Sequence, residues 1–397
     1  MNDINGLTLF FLLLLALAAA WYLGFQHRAR RRAPVTRGPN RDYFIGLNFL
    51  LNDKPDQAID TFINALQINS HTLETHMALG TLLRRRGKVD QAILLFQGLL
   101  AQSDLPASDL DQVKIELAKS YTAAGLYDRA ERLLEELKNS DTGVKQTALA
   151  LAVDVFQRER EWQSAIETVN ELLKTCSRQE KSPYQIMASQ FCCELAEHEM
   201  QQGQDGQARE HLKKAFWYNR NNVRASLLAG ELERQQGNHR EAIKVLSKVS
   251  EQDGRFVSET FGPLLECYYQ AGQEGQLQRF IEDSLKDNPA SSVLLGIAQF
   301  IEDQSGQGAA ITFLLQRLKQ KSSLRIMDRL LALMQAEGNT PELEKIAVLH
   351  RVLNEYINTQ AFYQCENCGY QAKNMHWLCP GCAQWEVVKP IQGATGE

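Results

Sequence analysis

The sequence has no surplus of positive charge. Its 43 Lys and Arg against 48 Asp and Glu leave a formal net charge of −5, which gives no global attraction to nucleic acid. It has no Gly-rich phosphate loop, no nucleophile elbow and no paired-carboxylate motif standing out from the acids expected on helix faces. His71, His76, His198, His211, His239 and His350 are scattered at no ligand spacing, which reads as solvated or hydrogen-bonded surface side chains rather than catalytic ones. Eight cysteines in 397 residues are too unevenly spaced for a disulfide framework. The opening MNDING carries an acid and no Lys or Arg, so the basic leader of a secretory signal is missing. These absences argue against a nucleotide-hydrolysing enzyme, a serine hydrolase, a nucleic-acid binder and a secreted disulfide scaffold alike.

What is present falls into three parts. From Leu7 to Phe25 the chain is uncharged, LTLFFLLLLALAAAWYLGF, about long enough at ~1.5 Å per residue to cross a ~30 Å hydrocarbon core. Trp21 and Tyr22 sit near its end, where an interfacial belt belongs. Ala18-Ala19-Ala20 resembles a signal-peptidase site, but Arg28, Arg30, Arg31, Arg32, Arg37 and Arg41 follow at once and resist translocation. The expectation is an uncleaved anchor over residues 1–26 with its N-terminus outside and the rest of the chain in the cytoplasm. Residues 27–42, with Pro34, Gly38 and Pro39, read as a basic juxtamembrane linker that sets orientation and is drawn to anionic lipid.

The middle repeats itself with a period near thirty-four. Gly46, Ala58 and Ala65 are followed by Gly80 and Ala92, by Ala118 and Ala130, by Ala196, Ala208 and Ala215, by Gly230 and Ala242, and by Ala298 and Ala310. Small residues at such fixed steps let two antiparallel helices cross closely, where a large side chain would force the backbones apart. Turn sequences fall between the paired positions: Asn52-Asp53-Lys54-Pro55, Arg86-Gly87-Lys88, Ala124-Gly125-Leu126 and Gln236-Gly237-Asn238. Ile59, Phe62, Ile63 and Leu66 then mark a helix face packed between repeats. The fourth unit keeps Ala165 but has Val153 at the preceding small position, and after Pro289 the pattern loosens. The pattern resembles the tetratricopeptide repeat over residues 43–356, an all-α solenoid that offers an extended surface to other proteins and little enclosed volume for catalysis.

The cysteines divide into two sets. Cys176, Cys192, Cys193 and Cys267 lie in helical sequence and read as small buried apolar side chains. Cys365-x2-Cys368 and Cys379-x2-Cys382 form two knuckles, whose four thiolates suit one tetrahedral ion, iron or zinc. Gly369 and Gly381 are expected to supply backbone freedom, Pro380 to stiffen the second turn, and Tyr363, Tyr370, Trp377 and Trp385 to pack around the ion. His376 is a weaker alternative ligand when four thiols are at hand. Cys-x2-Cys-Gly-Tyr and Cys-Pro-Gly-Cys resemble the knuckles of rubredoxin and zinc ribbons over residues 362–388. The ten-residue connection is too short for a rubredoxin aromatic core, which favours a structural ion over electron transfer, and neither pair has the strand-to-helix setting of a thioredoxin dithiol.

In this order (anchor, arginines, repeats, four-cysteine tail) the chain resembles the lipopolysaccharide assembly protein B (LapB) family of Gram-negative bacteria. The resemblance implies a non-enzymatic inner-membrane regulator of lipopolysaccharide synthesis. It implies Cys365, Cys368, Cys379 and Cys382 as metal ligands, the membrane protease FtsH and the deacetylase LpxC as partners, and contact with other lipopolysaccharide-synthesis or regulatory membrane proteins. It leaves self-association into a homo-oligomer open. A scaffold that gathers synthesis enzymes without delivering LpxC has the same sequence features, and a rubredoxin-like electron carrier is the remoter alternative.

Overall fold

The structure of the protein is a computed structural model. It describes residues 73–101, 105–140, 143–177, 179–286, 289–335, 341–393 and 396, with residues 45, 49, 57 and 61. The expected anchor, the arginine linker, His71, and most of the first repeat, including Gly46, Ala58 and Ala65, lie outside the described residues. Among the described residues no helix is long and apolar enough to cross a membrane.

The chain divides after Arg129 into two compact units. The first holds α1 (Leu73–Arg85), α2 (Val89–Leu100) and α3 (Ala107–Ala123), and α4 (Tyr127–Lys138) begins at its end. The close approach read from the sequence is visible at Gly80 on α1: a Cβ there would overlap Cζ on the ring edge of Phe96, the residue four beyond Ala92. Phe96 and Ala92 are fully buried. The chain reverses at Gly87, where φ is +76° and Lys88 N–H donates to Leu83 O at 3.0 Å, a helix C-terminal closure that suits glycine. Glu116 is nearly buried between Arg84 (2.8 Å) and Lys119 (2.6 Å). Burial opposes its ionisation, yet the two cations hold its carboxyl below the usual range.

The second unit continues as helix pairs: α5 (Lys145–Glu159) with α6 (Trp162–Thr175), α7 (Lys181–Gln201) with α8 (Asp205–Tyr218), and α9 (Val223–Gln235) with α10 (His239–Leu246). A one-turn helix α11 (Val249–Gln252) leads into α12 (Val257–Gln270) and α13 (Glu274–Ser284). Next come α14 (Ser291–Ser305) with α15 (Gln307–Leu318), and α16 (Leu324–Gln335) with α17 (Pro341–Ile357). Gly230 repeats the arrangement of Gly80, since a Cβ on it would overlap Leu246, the residue four beyond Ala242. The aberrant unit with Val153 keeps the same reversal by straining a non-glycine residue: Arg160 sits at φ 62° while Glu161 N–H still reaches Phe156 O at 2.9 Å. That conformation costs an L-residue roughly 1–2 kcal/mol.

Buried polar groups tie successive pairs together. Asn222 caps α9 by accepting from Ala225 N–H at 2.9 Å and donates to Ser189 Oγ at 2.6 Å; Ser189 in turn donates to Ala215 O at 2.9 Å. Arg224, almost fully buried, donates to Glu194 at 2.7 Å and Glu197 at 2.6 Å. Such a pair is costly to break from one side, because an unpaired buried charge remains. Cys176, Cys192, Cys193 and Cys267 are all buried as expected, and burial pushes the Cys192 thiol up to about 12. His76 is buried as well, which departs from the surface role expected of it.

Candidate metal centre and its seat on the repeats

After α17 the chain forms three short strands, β1 (Tyr363–Cys365), β2 (Gln371–Ala372) and β3 (Val388–Pro390), antiparallel in the order β2-β1-β3. Each cysteine pair sits in a knuckle with the same hydrogen bonds. Cys365 N–H donates to Tyr370 O at 2.8 Å and Gly369 N–H to Cys365 O at 3.0 Å; Cys379 N–H donates to Gln384 O at 2.9 Å and Ala383 N–H to Cys379 O at 2.8 Å. The knuckles are thus internal copies, with Ala383 standing where the first has Gly369. Both take the left-handed conformation, Gly369 at φ 76° and Ala383 at φ 53°.

This corrects the expected role of Gly381, whose φ is not positive. It is small for reasons of space: a Cβ there would lie 3.1 Å from Cys368 Sγ and 3.8 Å from Cys379 Sγ.

The four sulfurs lie within 4.8 Å of one another, with Cys365 Sγ to Cys382 Sγ and Cys368 Sγ to Cys379 Sγ both 3.7 Å. A disulfide needs ~2.05 Å, whereas a tetrahedron of ~2.3 Å metal–sulfur bonds has edges of about 3.8 Å. The donor set and spacing fit one four-coordinate ion that accepts thiolates, and iron and zinc fit equally. Cys365 and Cys379 are buried, Cys382 partly so, and Cys368 faces solvent. The Asn367 side chain draws the Cys382 thiol down to about 6; the Tyr370 amide favours the Cys368 thiolate, but desolvation and neighbouring sulfurs push that thiol up to about 12. His376 stands outside the cluster, edge-on to Tyr370 at 6.1 Å.

The aromatic residues divide in a way the sequence did not suggest. Tyr363 and Tyr370 pack beside Cys365, Cys379 and the buried Val388. Trp377 and Trp385, expected around the ion, turn instead into the repeats. Trp385 meets Phe191 at 5.9 Å and Trp162 at 6.3 Å, both edge-on, and its indole N–H donates to Gln157 Oε1 at 2.8 Å. Trp377 stacks on Phe256 at 5.4 Å. Gln157, Phe191 and Trp385 are buried, so the two parts share one apolar core. The reason is supply: the ribbon alone has too few apolar residues to bury two indoles, while the first helices of the repeat pairs present open apolar positions.

Polar contacts fix the ribbon's register on that seat. Gln190 donates to Glu386 at 2.6 Å, Lys389 to Asp253 at 2.9 Å, Arg255 to Glu366 at 2.6 Å and Tyr363 OH to Glu259 at 2.6 Å. Partial burial works against ionisation of Asp253, but Arg255 and Lys389 hold its carboxyl well below the usual range. Burial pushes the Glu386 carboxyl up against the opposing pull of Gln190 and Lys389. Gln157, Gln190, Asp253, Phe256 and Glu259 were not singled out from the sequence, and spread over three helices and the turn before α12 they carry no local signal of this role.

The geometry defines a class: a tetratricopeptide-repeat protein carrying a four-cysteine ribbon seated on the first helices of its repeats. Family comparison agrees, with tetratricopeptide repeat models matching residues 75–109 and 199–257 and a rubredoxin metal binding domain model matching residues 363–390. The lipopolysaccharide assembly protein B of Escherichia coli (strain K12) is 32% identical over 390 residues, covering 98% of this chain and 99% of its own. That of Haemophilus influenzae is 31% identical over 393 residues, covering 96% and 98%. The chain belongs to the lipopolysaccharide assembly protein B family, and it is a repeat scaffold rather than an enzyme. A solved tetratricopeptide repeat protein from Parabacteroides merdae aligns at 13% identity over 71% of this chain and 100% of its own, with a TM-score of 0.35.

Proposed function

We propose that the chain is a membrane-anchored adaptor in the bacterial cytoplasm that regulates lipopolysaccharide synthesis by presenting the deacetylase LpxC to the membrane protease FtsH. The observation that carries this reading is the end-to-end match to relatives named for lipopolysaccharide assembly, at 32% identity over 98% of the chain. The uncharged run from Leu7 to Phe25 and the arginines after it give the anchor and its orientation, N-terminus periplasmic and repeats cytoplasmic. Confinement to the plane of the protease raises the effective concentration of a held client for it. Cys365, Cys368, Cys379 and Cys382 hold one iron or zinc ion, which supplies four metal–thiolate cross-links. The ribbon's own residues, Trp385 and Trp377 above all, hold it against the repeats.

The test is the half-life of LpxC in cells lacking this protein, complemented by the parent, by Cys365→Ser/Cys368→Ser, or by a chain starting after Arg41. Stabilised LpxC in the deletion, with turnover restored only by the intact chain, is the expected result. Unchanged turnover overturns delivery and favours a scaffold that gathers synthesis enzymes at the membrane.

A further inference from the structure

Beside the seated ribbon lies an open groove of about 290 Å³, near the low end of ligand-pocket volumes, walled by α7, α9 and α12 and completed by Trp377. Its floor is apolar: Leu227 and Leu228 from α9, Leu246 from α10 and Pro263 from α12. Its walls are acidic. Glu197, Glu231 and Glu259 line it. Of the two cations nearby, Arg224 lines the groove but is nearly buried, with its guanidinium bound to Glu194 and Glu197; Arg234 is shared between Glu231 and Glu266. The lining itself holds three carboxylates and one guanidinium, an excess of two negative charges around an apolar floor.

The acids are reachable, with the side chains of Glu197, Glu231 and Glu266 45%, 35% and 49% exposed. Pro263, in the middle of α12, also removes the amide that would bond the Glu259 carbonyl.

The geometry points to a peptide ligand, an extended segment alternating apolar and Lys/Arg side chains, held with its apolar groups on Leu227, Leu228 and Trp377 and its cations against Glu197, Glu231 and Glu266. An acidic segment is repelled by the excess of carboxylates over guanidiniums, and a wholly hydrophilic one leaves the half-buried Leu227 and Leu228 in water. Because Trp377 belongs to the ribbon, the groove is whole only while the ribbon is seated. The inference deepens the adaptor reading by naming the chemistry of the segment it holds.

The test is fluorescence anisotropy on the full-length, metal-loaded protein in zwitterionic nanodiscs, with empty nanodiscs as the blank. The probes are a short labelled peptide of alternating leucine and lysine pairs and two counterparts, one with glutamate for lysine and one with serine for leucine. The leucine-lysine peptide is expected to bind best. Glu231→Gln/Glu266→Gln, whose sites are exposed and whose fold is checked by circular dichroism, should weaken it about tenfold. Trp377→Ala should weaken it as well, with Trp377→Phe in between. Equal binding of the glutamate peptide, or an unchanged affinity in the double variant, overturns the groove. If LpxC turnover proves independent of this chain while the peptide result holds, the adaptor reading fails and the groove stands.

Discussion

Replacing Trp385 with alanine is the sharpest perturbation of the seated ribbon. The indole is only 8% exposed and touches Phe191 and Trp162, and its N–H satisfies a glutamine that is itself buried. Truncating a buried tryptophan costs about 3–5 kcal/mol, and the orphaned Gln157 carbonyl adds about 1–3 kcal/mol. The exposed pair Arg255–Glu366, by contrast, contributes about 0–1 kcal/mol. Taking the low end, 4 kcal/mol raises the unseating constant about a thousandfold, at 1.4 kcal/mol per decade. Limited proteolysis across residues 358–362, between α17 and β1, reads that opening when cleavage is slow relative to reclosing. The ribbon's own cysteines are untouched, so metal content should stay at the parent level while cleavage accelerates. Trp385→Phe, which keeps a ring and loses the N–H, should fall between the two. Cleavage within twofold of the parent in Trp385→Ala would refute the claim that this indole holds the ribbon down.

Three other outcomes follow from the same structure. Gly230→Ala pushes a methyl into Leu246 and should destabilise the second unit by about 1–3 kcal/mol, read as a lower urea midpoint with an unchanged slope. Ala383→Gly relieves a left-handed alanine and should stabilise the metal-loaded ribbon by about 1 kcal/mol, seen as slower metal release to a chelator. Glu386 has a raised carboxyl pKa, so its contribution to stability is present below the ordinary carboxylate value near ~4.3 and is lost as pH rises through the folded value. Glu386→Gln should therefore melt higher than the parent at pH 7, and that advantage should vanish in acid. Asp253 has the opposite sign, its contribution being present at neutral pH and lost only in strong acid, so the difference between variant and parent isolates Glu386.

The repeat was legible because close helix crossing tolerates few residue types. Gly80 and Gly230 each meet a large side chain at the same relative place, and that steric demand is local enough to print a period on the sequence. The cysteine cluster was legible for a similar reason, since two thiolates on one knuckle need a fixed short spacing. The destination of Trp377 and Trp385 was not. Trp385 and Gln157 are separated by 228 residues, and nothing near either marks the other. The glycine roles in the second knuckle were misread because a small residue beside a cysteine can mean either a left-handed backbone or a crowded sulfur. There Ala383 takes the first part and Gly381 the second.

That same separation of 228 residues has a consequence for how the protein is made. A ribosome adding ~5–20 residues per second emits the glutamine roughly 10 to 50 s before the tryptophan that covers it. During each round of synthesis Phe191 and its neighbours therefore wait uncovered on a growing chain, open to chaperones or to the wrong apolar segment. The ribbon, arriving last, closes a surface laid down far earlier.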